Sequence, residues 1–445
     1  MSEQFTRRKF TETGALAAAA MLGGRLPSTR ADEQVTGANG RIRLGMIGVG
    51  NRGGQLLSAF LSHQDAQIVA ICDVYKPHLE KTAARLAKLG NQVEQFSDFR
   101  KLIDRQDLDA IVIATPDHWH AIQTITACRA GKDVYVEKPL SVTIGEGRRM
   151  VEVARETGRV VQVGTHRRSS KLWTEFAQMV LAGDIGKTTV SQAFRLSNLY
   201  PHGIGKLPTS DPPAGLDWDM WLGPRAARPY QDNIAPYKFR WWQSYSSQMG
   251  NWGAHYFDAM RWCLGEESPT SICAMGGRFA VDDDRTIPDT AQAMFEFPSG
   301  HLSLFGTFEA SGNPALPKGA EMEVRGTQGT AYVGGTSYRV VPERGGQFQD
   351  RKPRMEPVDV TVEGRNDQQT QAHARNFLDC IKSRAKPHAD VEIGHRSTTM
   401  ALLANMSLAV KARLEWDSER EVVTNVPAAN KLLNYEYRSP WTLDG

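Results

Sequence analysis

Between residues 41 and 165 short apolar runs alternate with stretches of helical periodicity, and this alternation limits the fold more than any other feature of the chain. Residues 42–47, 68–72, 110–114, 134–136 and 160–163 read as strands. Residues 55–61, 79–89, 121–130 and 144–156 read as helices between them. Strands that are apolar on both faces, each followed by a helix, imply a parallel sheet covered on both sides. The chain has 445 residues, which at about 100 to 200 residues per domain leaves room for a second one.

The first strand runs into Gly48-Val49-Gly50-Asn51-Arg52-Gly53, a complete G-x-G-x-x-G, and Asp73 ends the next strand. Strand, glycine turn, helix and acidic strand end together supply the context of a dinucleotide site. Gly48 permits the tight turn, Gly50 lets a pyrophosphate approach the backbone, and Gly53 lets the helix lie close to the strand. The helix start, at Asn51 and Arg52, offers free N–H groups to phosphate oxygens. Asp73 accepts both ribose hydroxyls of NAD and repels a 2′-phosphate, which favours NAD over NADP. Arg52 complicates this, because a guanidinium in the same loop can compensate such a phosphate.

Strand 110–114 leads into Thr115-Pro116-Asp117-His118-Trp119-His120, and strand 134–136 into Glu137-Lys138-Pro139. Both loops leave the carboxyl ends of parallel strands, where ligands bind in open α/β sheets. Thr115, Pro116, His118, His120, Glu137 and Lys138 are therefore candidate cofactor contacts, and Asp117 a candidate helix cap. His118 and His120 form an H-x-H pair with no matching third and fourth ligand, so no metal is expected.

After residue 164 the alternation stops. Residues 188–197, 290–297, 301–308, 322–325 and 330–333 read as longer strands. Pro298-Ser299-Gly300 and Gly326-Thr327-Gln328-Gly329 read as turns between antiparallel neighbours. Residues 371–384 and 396–412 read as amphipathic helices. The expected organisation is α/β: a Rossmann-type doubly wound sheet over 41–165, an α+β substrate domain over 166–415 with mostly antiparallel strands, and an irregular extension over 416–445.

Within residues 248–262, read as one helix, Asn251, His255, Asp258 and Trp262 share a face, while Gly253, Phe257, Met260 and Leu264 form a separate apolar one. Trp218, Trp221, Trp241, Trp242, Tyr245 and Trp252 crowd the preceding region, with Arg240 among them. Flat rings suit the C–H faces of sugars, and the same rings serve equally as packing anchors for the Pro-rich segment 201–236. Trp242 is a candidate substrate contact on this basis. His166 and Arg168, just past the domain junction, lie close to the expected cleft.

The N-terminus reads as an address. Thr6-Arg7-Arg8-Lys9-Phe10 precedes an eleven-residue Ala-rich run ending at Gly24, too short to span a bilayer, which takes roughly 20 residues. The paired arginines resemble a twin-arginine export signal over residues 1–31, which implies a periplasmic or other extracytoplasmic destination. Five basic and two acidic residues fall before residue 31, leaving 48 of each in the remainder. No basic field remains to recruit nucleic acid or anionic lipid, and no second apolar stretch approaches membrane length. Five widely spaced cysteines without a C-x-x-C support neither a disulfide framework nor a zinc site.

The glycine loop GVGNRG, Cys72-Asp73-Val74-Tyr75, TPDHWH and VEKPL, in this order and spacing, resemble the glucose-fructose oxidoreductase, inositol dehydrogenase and MocA (Gfo/Idh/MocA) family along nearly the whole chain after the leader. The resemblance implies a large open sheet in the second domain and tightly bound NAD. It also implies a homodimer or homotetramer paired through that sheet. Lys138 matches the family's lysine beside the nicotinamide. His255 matches the histidine of its D-x-x-x-H pair, beside the reacting hydroxyl, whereas Asn251 stands where the aspartate is usual. A neutral amide cannot support an imidazolium as a carboxylate does, and Asp258 is the nearby carboxylate able to orient the ring instead. The implied activity is hydride transfer between a secondary hydroxyl of a sugar, cyclitol or glycoside and NAD. Lys138 and His255 are then catalytic, with Arg168, Asn251 and Asp258 at the substrate. One branch of the family cleaves glycosides by transient oxidation; residues 198–205 loosely resemble a loop of it, with Tyr200 and His202 as added acid/base groups. A non-catalytic carbohydrate- or nucleotide-binding protein is the third reading.

Overall fold

The computed structural model describes residues 40–362 and 367–444; the expected export signal lies outside them. The first half is a six-stranded sheet, all parallel, built from β1 (Ile42–Ile47), β2 (Ala66–Cys72), β3 (Glu94–Phe96), β4 (Ala110–Ile113), β5 (Asp133–Val136) and β6 (Val161–Val163). The strand order is β3-β2-β1-β4-β5-β6. The chain runs outward to β3 and then returns to the other side of β1, so the topological switch falls between β1 and β4, where a crevice opens for a ligand. β1, β4 and β5 are almost wholly buried, which is why they read as continuous apolar runs. β3 was not expected: it is a short, largely exposed edge strand whose Glu-Gln-Phe carries no periodic signal.

Five helices cover this sheet: α1 (Asn51–Leu61), α2 (Lys76–Lys88), α3 (Phe99–Ile103), α4 (His120–Arg129) and α5 (Ile144–Glu156). α5 starts at a full capping box, in which Thr143 and Glu146 each satisfy the other's backbone N–H. This fixes the chain just downstream of Lys138. α1, by contrast, starts at Gly50 with no side-chain cap, leaving its first N–H groups open to the crevice.

The second half passes through α6 (Lys171–Leu181) into a ten-stranded sheet. Its strands are β7 (Thr188–Leu196), β8 (Ser271–Gly277), β9 (Thr290–Glu296), β10 (Leu302–Phe308), β11 (Met322–Gly326), β12 (Gly329–Val333), β13 (Ser337–Pro342), β14 (Val358–Thr361), β15 (Leu414–Asp417) and β16 (Val422–Val423). Both expected turns close antiparallel hairpins, β9–β10 and β11–β12, while β7 and β10 pair in parallel. A short α7 (Trp218–Leu222) lies in the Pro-rich segment. α8 (Ala254–Leu264) and α10 (Val391–Val410) join α6 on one face of this sheet, where Phe257 packs edge-on against Phe295 and Phe305. On the other face Met275 and Met294 stand exposed.

α9 (Asp367–Ser383) returns to the first sheet. Phe377 packs on Phe60 and Tyr135, and Arg375 pairs with Asp65 at 2.7 Å. Arg384, just past the helix, pairs with Asp133 at 2.6 Å. The nucleotide half is thus completed by residues more than 200 positions downstream. The segment after α10 contributes β15, β16 and a 3-10 turn over Pro427–Leu432 and is otherwise irregular.

Candidate functional site

A cavity of about 450 Å³ opens at the carboxyl ends of β1, β2, β4 and β5 and reaches the helical side of the second sheet. Gly48, Gly50, Asn51, Arg52, Asp73, Thr115, Pro116, His120, Glu137 and Lys138 all line it. The residues fit a dinucleotide. Gly48 has φ of +81°, a conformation other residues rarely adopt. A Cβ on Gly53 would fall 2.0 Å from Gly48 O, so only glycine lets α1 lie this close to β1. Asp73 accepts the N–H groups of Val49 and Tyr75 at 2.9 Å each and pairs with His78 Nδ1 at 3.3 Å. Its carboxylate therefore stands beside the glycine loop, where a ribose would lie.

Arg52 does not stay in that loop. Its Nε donates to Glu137 Oε1 at 2.7 Å, and its Nη1 to Gln55. Committed to a buried carboxylate across the crevice, it is not free to compensate a 2′-phosphate. Burial pushes the Glu137 carboxyl up, but Arg52 and Lys138 outweigh that and hold it below its usual range.

Lys138 is the pivot between the halves. Its Nζ donates to the backbone O of Asn251 at 2.6 Å and to Asn251 Oδ1 at 3.0 Å. Burial brings the amine down to about 8; Glu137 and Asp117 resist this, and Arg240 and Arg52 add to it. The Asn251 amide donates in turn to Gln248 Oε1 at 3.3 Å, and Gln248 Nε2 donates to Glu309 Oε1 at 2.8 Å. An asparagine serves this chain because it accepts at one end and donates at the other; an aspartate has no N–H to give.

The helix that carries Asn251 starts with a π-turn, Met249–Gly253, before α8. The wider turn brings Gln248, Asn251 and Trp252 to the cavity. His255 is half-buried, falls one turn farther along, and is not among the lining residues. Its ring meets that of His166 edge to face at 5.2 Å, and the Nδ1 atoms of both are buried without a partner among the described residues. Burial, then the charge of Lys138, hold the His255 imidazole well below its usual range, and burial does the same at His166.

Several expected contacts lie elsewhere. Asp258 does not orient His255: its carboxylate takes Arg168 Nε at 2.8 and 2.9 Å and the Ser397 hydroxyl at 2.8 Å. Asp258 and Arg168 form an internal ion pair away from the cavity, because an aspartate buried on the packed side of α8 needs a counter-charge. Trp242 is core, with Nε1 on Asn233 O at 2.8 Å and its ring under Arg228. His118 is buried behind the wall with Nε2 on Trp221 O at 3.0 Å, and burial pushes its imidazole down to about 3. Tyr200 and His202 are exposed and outside the cavity. Asp117 does not cap the next helix; it receives the Ser246 hydroxyl instead, and burial raises its carboxyl.

Sequence reasoning missed Arg195, Gln248 and Glu309, all of which line the cavity. A signal existed in two cases. Ser191, Ala193 and Arg195 alternate inward on β7, as do Ser303, Phe305, Thr307 and Glu309 along β10 and just beyond it. A charge on the inward phase of a strand marks either an ion pair or a site.

Fold and crevice together define a two-domain, dinucleotide-binding protein of the doubly wound type. Residues 42–165 match a model described as an oxidoreductase family with an NAD-binding Rossmann fold. Residues 224–332 match a GFO/IDH/MocA C-terminal domain, and residues 319–443 an oxidoreductase-family C-terminal alpha/beta domain. The chain belongs to the Gfo/Idh/MocA oxidoreductase family, and its cofactor is NAD. It is 38% identical over 128 residues to a glycosyl hydrolase family 109 protein of Solibacter usitatus, covering 27% of this chain and 29% of that one. It is 28% identical over 148 residues to an inositol 2-dehydrogenase of Salmonella paratyphi B, covering 33% and 43%. The chain thus matches less than half the length of either relative. An NAD-binding oxidoreductase from Klebsiella pneumoniae shares the fold, with a TM-score of 0.65 at 18% identity over 84% of this chain and 99% of that one.

Proposed function

We propose that the protein reversibly oxidises a secondary hydroxyl of a sugar, cyclitol or glycoside, with NAD as hydride carrier. The observation that carries this reading is Lys138, a half-buried lysine whose amine is brought down to about 8, set in the nucleotide crevice and held from the second domain by Asn251. NAD, when bound, supplies the hydride acceptor for the carbon that bears the hydroxyl. Lys138, as the free amine, takes the hydroxyl proton while the C–H bond breaks and the carbonyl forms. In the reverse direction the ammonium returns that proton. Asn251 aims Nζ, and the Arg52–Glu137 pair anchors the loop behind it. His255 takes no part in this transfer: it lies outside the cavity lining, and an imidazole held well below its usual range does not accept a proton from an ammonium near 8.

A relative named inositol 2-dehydrogenase fits a polyol substrate. A relative named glycosyl hydrolase raises the transient-oxidation route, but its added acid/base groups, Tyr200 and His202, lie outside the cavity, which favours net redox. The same reading includes export of a folded, cofactor-loaded protein, on the strength of Arg7-Arg8-Lys9-Phe10. It also includes pairing of copies across the exposed face at Met275 and Met294.

The test is NADH formation with a panel of sugars and cyclitols, alongside NAD binding measured by fluorescence. Lys138→Ala is expected to lower turnover by about 10² to 10⁴-fold while NAD still binds. Unchanged turnover in this variant would remove Lys138 from the chemistry and the reading with it.

A further inference from the structure

Two carboxylates that line the cavity, Glu309 and Asp117, lie in the field of second-domain arginines, and both are engaged elsewhere. Glu309 Oε2 accepts from Arg285 Nη1 at 2.6 Å and Trp241 Nε1 at 2.9 Å, its Oε1 accepts from Gln248, and Asp117 receives the Ser246 hydroxyl. Arg285 is itself wholly buried and clasped by Asp283, and it takes the direct ion pair with Glu309. Two guanidiniums nevertheless line the same cavity. Arg195 lies over the Trp252 ring at 4.1 Å, and its Nε is buried without a hydrogen-bond partner among the described residues. Arg240 lies over Phe239 at 4.4 Å and Tyr237 at 4.6 Å, and its Nη1 donates to a backbone carbonyl, Tyr237 O, at 2.9 Å. Neither forms an ion pair with a carboxylate among the described residues.

A guanidinium stacked by its face on an aromatic ring keeps its N–H edge free, and that edge matches a planar anion in two parallel hydrogen bonds. A neutral sugar offers hydroxyls but no counter-charge, and would cover both cations with only the longer-range field of Glu309 and Asp117 to offset them. We infer that the substrate is an acidic sugar, whose anionic group is held by Arg195 and Arg240 while its hydroxyl faces Lys138. The inference rests on the reading of this cavity as the sugar site of an oxidoreductase. A carboxylate fits the planar fork best; a phosphate ester offers the same charge.

The test is calorimetric binding to the NAD-loaded protein, run beside NADH formation. The probes are glucuronate, galacturonate, glucose 6-phosphate, glucose and galactose. At least one charged sugar is expected to bind about 10-fold or more tighter than its neutral counterpart, the usual gain from a charge-assisted hydrogen bond. Preference for a uronate over the phosphate identifies the group as carboxylate, and the reverse identifies it as phosphate. Arg195→Gln and Arg240→Gln should each erode the preference, with NAD binding retained as the check on folding. Arg195→Lys should restore it only in part. Neutral sugars binding as well as charged ones, or a preference that survives both substitutions, overturns the inference. Arginine-dependent binding of an acidic sugar without any NADH formation would instead sink the oxidoreductase reading and leave the anion site standing.

Discussion

At the scale of single residues the site turns on one substitution within the family pattern, Asn251 in place of an aspartate. The amide holds Lys138 without adding a negative charge, so burial is free to lower the amine to about 8. In the proposed reaction the neutral amine takes up the hydroxyl proton, so the oxidation rate should rise as pH climbs through about 8 and level off above. Asn251→Asp puts an opposite charge against Nζ, which favours the ammonium and raises its pKa, by about one unit or more. The midpoint of the pH–rate profile should move up accordingly, with NAD affinity unchanged; a profile that stays in place would separate Lys138 from the titration. Gly48, Gly50, Gly53, Asp73 and Lys138 stand out in the sequence because each lies in a contiguous motif whose spacing has one physical use. His118, Trp242 and Asp258 were misread because type and position in a motif do not say which way a side chain points. That is set by what packs around it, here Trp221, Asn233 and Arg168.

Among the elements, the C-terminal extension does more than its irregular sequence suggests. Tyr437 donates to Glu146 at 2.7 Å, in the capping box of α5. Arg438 holds the end of α7 through Gly223 O and Asp219. The Trp441 ring packs edge-on against Trp119 at 4.8 Å and stacks on Phe99, and both of those rings line the nucleotide cavity. Trp441→Ala removes one buttress of that wall and should cost about 1 to 2 kcal/mol of stability. NAD should also leave faster in a competition assay. Wild-type melting and release in this variant would mean the extension only covers surface. None of this was readable beforehand, since 416–445 has no periodicity and its partners lie about 200 to 340 residues upstream.

For the whole molecule, the two halves are not independent. α9 seals Phe60 and Tyr135 on the first sheet, and Val391, at the start of α10, belongs to the same core as Val161 and Val163. Residues 41–165 expressed alone would expose that apolar face and are expected to aggregate or to melt without a cooperative transition. A soluble fragment with a sharp transition would refute this dependence. In the intact protein, saturating NAD should raise the melting temperature of both halves together, because a ligand that binds only the native state stabilises all that folds with it.

The sequence by itself determined the doubly wound sheet, the glycine turn and the lysine at the end of β5. These are local: a buried parallel strand must be apolar throughout, and a phosphate loop needs its glycines at fixed spacing. Tertiary structure alone decided that Arg52 turns to Glu137 and that Arg195 and Arg240 form no ion pair among the described residues. It also decided that α9 belongs to the first domain. Pairing of charges and covering of sheets depend on which residues meet across hundreds of positions, and the order of the chain carries no term for that.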